Sequence, residues 1–278
     1  MRLFKVKRGI IIEDNGNYFL VKDVPWDQFF NDNDLLEKIN GIISSQDPVA
    51  NGSEIINTEL EAPIQNQEIW AAGVTYFNSK LGRQEESKDT GGGQFYAHVY
   101  EAERPELFFK ALAHRTVGSG EFVRIRYDST WDVPEPELTL AITSSGKIVG
   151  YTIGNDMSSR SIEGENPLYL PQAKSYDGSA ALGPCIYVTE EGLPTETTIS
   201  LEIFRNGSVV FEGSVGIDQM KRKPEELVSY LYRECTFPQG SFLMTGTGIV
   251  PSQEFTLQSS DKILITIEPI GTLINTVK

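Results

Sequence analysis

The sequence predicts a strand-rich α+β fold. Short alternating apolar runs recur along most of its 278 residues. Two Asn-Gly dipeptides, at 15–16 and 206–207, sit between such runs, where a tight hairpin turn needs positive φ. Helical spacing is scarce, and KPEELVSYLYRE (223–234), with Pro224 near the first position and acids in the first turn, is the plainest case. Many strands with few helices point to α+β.

Taken in order, RGIIIEDNGNYFLVKD (8–23) places two apolar runs around Asn15-Gly16 and predicts a hairpin. A polar, helical stretch and the turn-rich QDPVANGSEI (46–55) follow, so residues 1–65 read as a small N-terminal α/β domain and 66–278 as the larger domain. NQEIWAAGVTY (66–76) reads as a buried strand. SKLGRQEESKDTGGGQ (79–94) reads as a polar, mobile excursion whose three glycines (91–93) form a hinge. After RPELFFKALAH (104–114), strands are expected in EFVRIRY, PELTLAIT, KIVGYTIGND, CIYVTE, ISLEIFR and SVVFEGS, then in FLMTGTGIVP and the C-terminal run from Asp261.

Composition narrows the function classes. Lys and Arg total 24 against 39 Asp and Glu, a net charge of -15, which disfavours nucleic acid and anionic membranes as partners. Cys185 and Cys235 are far apart and read as free thiols. No apolar core of a signal peptide and no run of membrane-spanning length is present, so a soluble cytoplasmic protein is expected. Two histidines, His98 and His114, exclude a histidine-rich metal site.

WDVPEPELTL (131–140) carries two acids one residue apart. Pairing PELTLAIT with KIVGYTIGND about a tip at Ser145-Gly146 sets Thr143 opposite Ile148. The same register sets Glu137 opposite Gly154 and Glu135 opposite Asp156. Residues two apart on a strand share a face, so Glu135, Glu137 and Asp156 converge, with Gly154 leaving room beside them. Two readings stay open: a solvated strand edge, or a cation site. An all-oxygen set suits a hard ion, Mg²⁺ first, with Mn²⁺ or Ca²⁺ as alternatives. Pro134 and Pro136 are expected to interrupt the ladder and stop the strand at the site mouth.

PELFFK (105–110), PEPEL, GYTIGNDMSSR (150–160), AKSYDGSAALGP (173–184) and TGTGIVP (245–251) together resemble the fumarylacetoacetate hydrolase superfamily. The resemblance implies a mixed β-sandwich roll behind the small N-terminal domain, and a divalent metal held by Glu135, Glu137 and Asp156. It implies Lys174 beside metal and substrate and Thr247 near the substrate. Hydrolytic members usually carry a histidine where GVTYFNSK (73–80) has Ser79.

ERPELFFKALAHRTVGSGE, DSTWDVPEPEL and ENPLYLPQAKSY resemble more narrowly the branch of 2-keto-3-deoxy-pentonate dehydratases. That implies water elimination from a 2-keto-3-deoxy sugar acid, 2-keto-3-deoxy-D-arabinonate giving 2,5-dioxopentanoate, by a homo-oligomer, dimer or tetramer. Lys174 would then be the C3 base or the enolate stabiliser, Glu106 its partner acid or base, and Lys110 and Arg115 contacts for the substrate carboxylate, with His114 either a further contact or a satisfied structural histidine. A hydrolase cleaving a C–C bond of an acylpyruvate or fumarylacetoacetate-like diketo acid is the competing expectation.

Overall fold

Hairpins form where the sequence places its tight turns. In the computed structural model, which describes residues 1–86 and 98–278, Asn15 and Gly16 take φ of 49° and 82° between the strands Gly9–Asp14 and Asn17–Val21. Asn206 and Gly207, at 53° and 80°, join Thr198–Arg205 to Ser208–Gly216. Positive φ at both central residues is the turn geometry whose twist matches paired strands. The helix Pro224–Leu231 also lies where the sequence predicts it.

Two sheets pack face to face. The larger has the order Asn17–Val21, Gly9–Asp14, Arg2–Val6, Ala180–Tyr187, Ile148–Asp156, Pro136–Ile142, Ser241–Met244, Glu68–Gly73, Glu106–Leu112. It is mixed, because Ser241–Met244 runs parallel to Glu68–Gly73. The first three strands of the chain therefore continue the sheet that carries the rest, through pairing of Arg2 with Tyr187 and Leu3 with Ile186. The smaller sheet has the order Ser208–Gly216, Thr198–Arg205, Lys262–Ile267, Gly271–Val277, Phe122–Val123.

Between the sheets Leu138, Ile153 and Ala181 meet Leu201, Ile263 and Ile265. On the other side of the large sheet, Trp26, Phe29, Phe30, Leu35 and Ile39 from the N-terminal helices cover Ile10, Ile12 and Phe242. A β-rich α+β architecture with helices on one face results.

EFVRIRY departs from expectation, with Phe122–Val123 alone in strand. Arg124 N–H donates to Gly178 O at 3.0 Å, and the Arg126 guanidinium turns onto Asp128 at 2.7 Å, so the chain leaves the ladder there. The first part of the polar excursion is helical, over Phe77–Glu86. Its glycines at 91–93 lie outside the described residues.

The central hairpin corrects the sequence reading at three points. Gly154 pairs with Glu137 and Asn155 with Pro136, as the register predicts. Beyond Pro136, Glu135 and Asp156 exchange both backbone hydrogen bonds, at 2.9 and 3.1 Å. The prolines therefore do not stop the pairing. Pro136 faces Asn155 at a position where no ladder bond from its nitrogen is required, since those bonds come from every second residue of an antiparallel strand.

At the tip, Thr143 N–H donates to Lys147 O and Ile142, not Thr143, pairs with Ile148. Gly146 at φ 83° closes a three-residue loop, and Val149 is an extra, bulged residue that restores the predicted register below it. Gly154 leaves no room, because a Cβ there would lie 2.3 Å from Thr139 Oγ1 and 3.0 Å from Met244 Cε.

Ile265 is fully buried and stands between Leu201 and Leu273. Ile265→Ala should cost about 2–5 kcal/mol through lost burial and the cavity left behind, read as a lower urea midpoint. A midpoint equal to wild type would show that the two sheets do not share this core.

Candidate active site

The open end of the central hairpin is closed to solvent. Glu135, Glu137 and Asp156 are 5%, 1% and 0% exposed, and one oxygen from each lies within 4.8 Å of the others. Strand geometry accounts for this, because Glu135 and Glu137 share a face and Asp156 stands directly across from Glu135.

Three buried cations answer the three acids. Lys174, on the short helix Leu170–Lys174, donates to Glu135 Oε2 at 2.7 Å, to Ser158 Oγ at 2.6 Å and to Asp156 Oδ2 at 3.4 Å. Lys110 lies 2.6 Å from Asp156 Oδ1. Arg160 donates to Glu135 Oε1 at 2.9 Å. A fourth buried carboxylate, Glu163, stands 4.0 Å from Lys174 Nζ.

Glu137 differs from its neighbours. Among the described residues it makes no ion pair, and its Oε2 accepts from Gly246 N–H. Burial first, then the charges of Asp156 and Glu135, raise its pKa well above the ordinary 4.5. Burial acts on Asp156 in the same direction, but Lys110 and Lys174 outweigh it and hold that carboxyl below its ordinary value. Burial lowers Lys110 from the usual lysine range while Asp156 pulls it back. A buried, all-oxygen donor set with one carboxylate lacking a cationic partner fits a hard divalent ion.

The turn after Ser241–Met244 fixes Glu137 from the other side. Gly246 takes φ 94°, and a Cβ there would lie 2.0 Å from Thr75 Oγ1, whose hydroxyl donates to Thr245 O at 2.7 Å. Glycine is therefore required at the residue that grips Glu137. Val74, at φ 54°, is a β-branched residue in the left-handed region, and it lines a cavity that reaches Glu135.

The other sequence candidates divide. Thr247 lines the cavity together with Gly73, Ser79, Phe108, Glu135 and Arg160. Glu106 pairs with Gly73, and a Cβ on Gly73 would lie 2.2 Å from Glu106 Oε2, so that carboxylate lies across the glycine at the cavity wall. Ser79 is buried, and its hydroxyl donates to Tyr76 O at 2.7 Å and accepts from Tyr76 N–H at 3.2 Å. Arg115 is not in this wall; it sits in the 3-10 turn Ala113–Arg115, 3.7 Å from Asp177, and His114 shares that turn.

Ser158, Arg160, Glu163 and Gly246 were not singled out from the sequence. Ser158 and Arg160 follow Asp156 by two and four residues inside GYTIGNDMSSR, so strand alternation signalled the first of them. Glu163 carried no local signal.

Comparison with known proteins agrees with this geometry. A family model described as Fumarylacetoacetate (FAA) hydrolase C-terminal matches residues 83–278. The chain belongs to the fumarylacetoacetate hydrolase family. It is 40% identical to the 2-dehydro-3-deoxy-D-arabinonate dehydratase of Saccharolobus solfataricus, covering 100% of this chain and 96% of that protein. It is 50% identical to a probable 2-keto-3-deoxyxylonate dehydratase of Haloferax volcanii, over 80% of this chain and 76% of that one. A solved structure of 2-keto-3-deoxy-D-arabinonate dehydratase complexed with magnesium and 2,5-dioxopentanoate superposes with a TM-score of 0.85 at 38% identity, covering 100% of this chain and 99% of that one.

Glu137 gives the metal-free protein a defined pH response. Its folded pKa lies above its unfolded one, so the native state binds the extra proton between the two values. Its contribution to stability is complete below the ordinary Glu range and is lost as pH rises through the folded pKa. A divalent cation added within that window should displace the proton, and release should fade as pH passes the folded pKa. Titration calorimetry in two buffers of different ionisation enthalpy measures this. No proton release within the window, or release that persisted unchanged above the folded pKa, would contradict the assignment.

Proposed function

We propose that this chain is a divalent-metal-dependent hydro-lyase that removes water from a 2-keto-3-deoxy sugar acid, converting 2-keto-3-deoxy-D-arabinonate into 2,5-dioxopentanoate. The observation that supports it most is the buried cluster of Glu135, Glu137 and Asp156 with Lys174 bonded into it, in a chain similar over its whole length to enzymes named for this reaction. Glu135, Glu137 and Asp156 would hold Mg²⁺, which when bound polarises a 2-keto acid and stabilises the charge that develops as C3 loses its proton.

The remaining work falls to side chains of the chain. Elimination needs one group to take the C3 proton and another to protonate the departing C4 hydroxyl, which leaves as water. In this reading Lys174 Nζ, a donor to Glu135 and Ser158, serves as the C3 base or steadies the developing negative charge, and Glu106, across Gly73 at the cavity wall, is its partner acid or base. The donor role of Lys174 supports the second of its two assignments. Arg160 and Thr247 face the same cavity and can orient the substrate carboxylate and hydroxyls. Arg115, in its turn beside Asp177, reaches substrate in this reading only with a change of loop position.

The competing hydrolase reading needs a base that activates water. Ser79 stands at the position expected for it and has its hydroxyl bonded to the Tyr76 backbone. That observation favours elimination over C–C cleavage.

We place the functional groups in 66–278 and read 1–65 as the small unit that backs the sheet. We also read the chain as a cytoplasmic homo-oligomer, dimer or tetramer, with a small-molecule keto acid as its partner and neither nucleic acid nor membrane. The acidic charge of -15 speaks against nucleic acid and anionic membrane, and the free Cys185 and Cys235 fit a reducing compartment. Among the described residues no helix is long and apolar enough to cross a membrane.

With Mg²⁺, the protein should turn 2-keto-3-deoxy-D-arabinonate into an aldehyde without loss of carbon, and a chelator should abolish turnover until metal is restored. Glu106→Gln should lower kcat about 10²–10⁴-fold, the usual worth of a positioned acid or base. Hydrolysis of an acylpyruvate to pyruvate and a short acid, with the sugar acid left unturned, would replace this reading with the hydrolase.

A further inference from the structure

We propose that Lys110 is a positioning residue, a strut that clamps Asp156 and the chain at Lys174 onto the edge strand and so sets which divalent ion the site prefers. It rests on the metal-dependent reading above and departs from the expectation that Lys110 contacts the substrate. An ammonium offers three N–H donors. Here Met157 O at 2.9 Å and Lys174 O accept from Nζ, and Asp156 Oδ1 lies 2.6 Å away as its ion-pair partner. Two donors are thus held by backbone carbonyls and the charge is met by Asp156, which turns the ammonium away from a substrate carboxylate. Lys110 is fully buried, and the cavity wall includes Phe108 of the same strand but not Lys110.

The strand is built to deliver this side chain. Ala111 pairs with Ile69 and Phe109 with Trp70, so Lys110 is an extra residue in the ladder between Glu68–Gly73 and Glu106–Leu112. A bulge of this kind re-aims a side chain and is over-represented beside active sites. Through one nitrogen the bulged residue ties three segments together: its own strand, the end of Ile148–Asp156, and the helix that presents Lys174. The two oxygens of Asp156 become inequivalent, Oδ1 gripped by Lys110 and Oδ2 turned toward Lys174.

A carboxylate clamped on one oxygen cannot swing freely into two-oxygen contact with an ion. That restriction suits Mg²⁺, which demands a fixed octahedron at about 2.0–2.1 Å, and disfavours Ca²⁺, which takes more oxygens at about 2.3–2.6 Å in flexible geometry. Partners that orient a ligand in this way typically alter metal affinity or activity about 10–100-fold when removed. The positive charge of Lys110 repels every dication alike, so removing it moves both affinities together. Releasing the clamp moves their ratio.

The test is calorimetric titration of wild type and Lys110→Met with Mg²⁺ and with Ca²⁺, no substrate present, followed by steady-state kinetics with Mg²⁺. The expected result is a ratio of Ca²⁺ to Mg²⁺ affinity raised about tenfold, kcat down about 10–100-fold, and KM for the keto acid within about twofold of wild type. An unchanged ratio with a raised KM would return Lys110 to the substrate, and wild-type values throughout would remove it from the site's function; either overturns the proposal. If Lys110→Met does not fold, Lys110→Arg keeps the charge but not the geometry of its contacts with Asp156, Met157 and the chain at Lys174. A displaced ratio with KM unchanged then supports the strut, and a wild-type ratio with raised KM overturns it. A wild type that bound neither ion would defeat the metal-dependent reading itself, which the same titration shows separately.

Discussion

Carboxylates buried within 4.8 Å of one another repel, and the remainder of the site is arranged around that repulsion. Placed in low dielectric, three such groups cannot all ionise without positive charge nearby. The chain supplies three buried cations, each from a different part of the sequence: Lys110 from an edge strand, Arg160 from the helix Arg160–Glu165, and Lys174 from another. Among the described residues, with Glu163 counted, four buried carboxylates face three cations, and Glu137 is left with a backbone N–H. That imbalance fits a further cation better than a closed set of structural ion pairs. Breaking a buried pair is costly because it strands the remaining charge, so these partners are tightly bound to one another's presence.

Backbone pairing turns that chemistry into a fixed geometry. Because Glu135 and Asp156 exchange both hydrogen bonds, the carboxylates hang from a continuous ladder and not from a loose loop. The neighbouring turn contributes Gly246, where any side chain would strike Thr75. Rigid elements hold a metal-binding constellation more closely than loops do. The N-terminal strands and helices extend and cover the sheet that carries this hairpin, and Asn33 reaches its tip, accepting from Thr143 Oγ1 and Ser145 Oγ at 2.7 Å.

How much of this was legible depends on the range of the interaction. Asn15-Gly16, Asn206-Gly207 and the Pro224 helix start were readable because turns and caps are decided by neighbouring residues. The register bringing Glu135, Glu137 and Asp156 together was readable because side chains alternate with period two and a short hairpin offers few alternatives. The tip was misread because the bulge at Val149 depends on the φ of Gly146, and the Pro136 interruption because it depended on which side of the strand needed donors. EFVRIRY has a strand's composition, yet Arg124 and Arg126 find better partners at Gly178 and Asp128 than a ladder provides.

By itself the sequence determined the fold class, the hairpins and the acidic trio, and it set a hard ion as the one that trio would suit if it held a cation. Those follow from local backbone preference, strand alternation and the chemistry of oxygen donors. Tertiary structure alone decided which cations face those acids and that Lys110 is buried against Asp156 and the carbonyls of Met157 and Lys174. It also decided that the first three strands join the main sheet and that Glu137 lacks an ion pair. Each of these joins residues distant along the chain, 64 apart for Lys110 and Lys174 and 109 apart for Glu137 and Gly246. Contacts at such separations are chosen by packing of the whole chain, and no local window of residues encodes them.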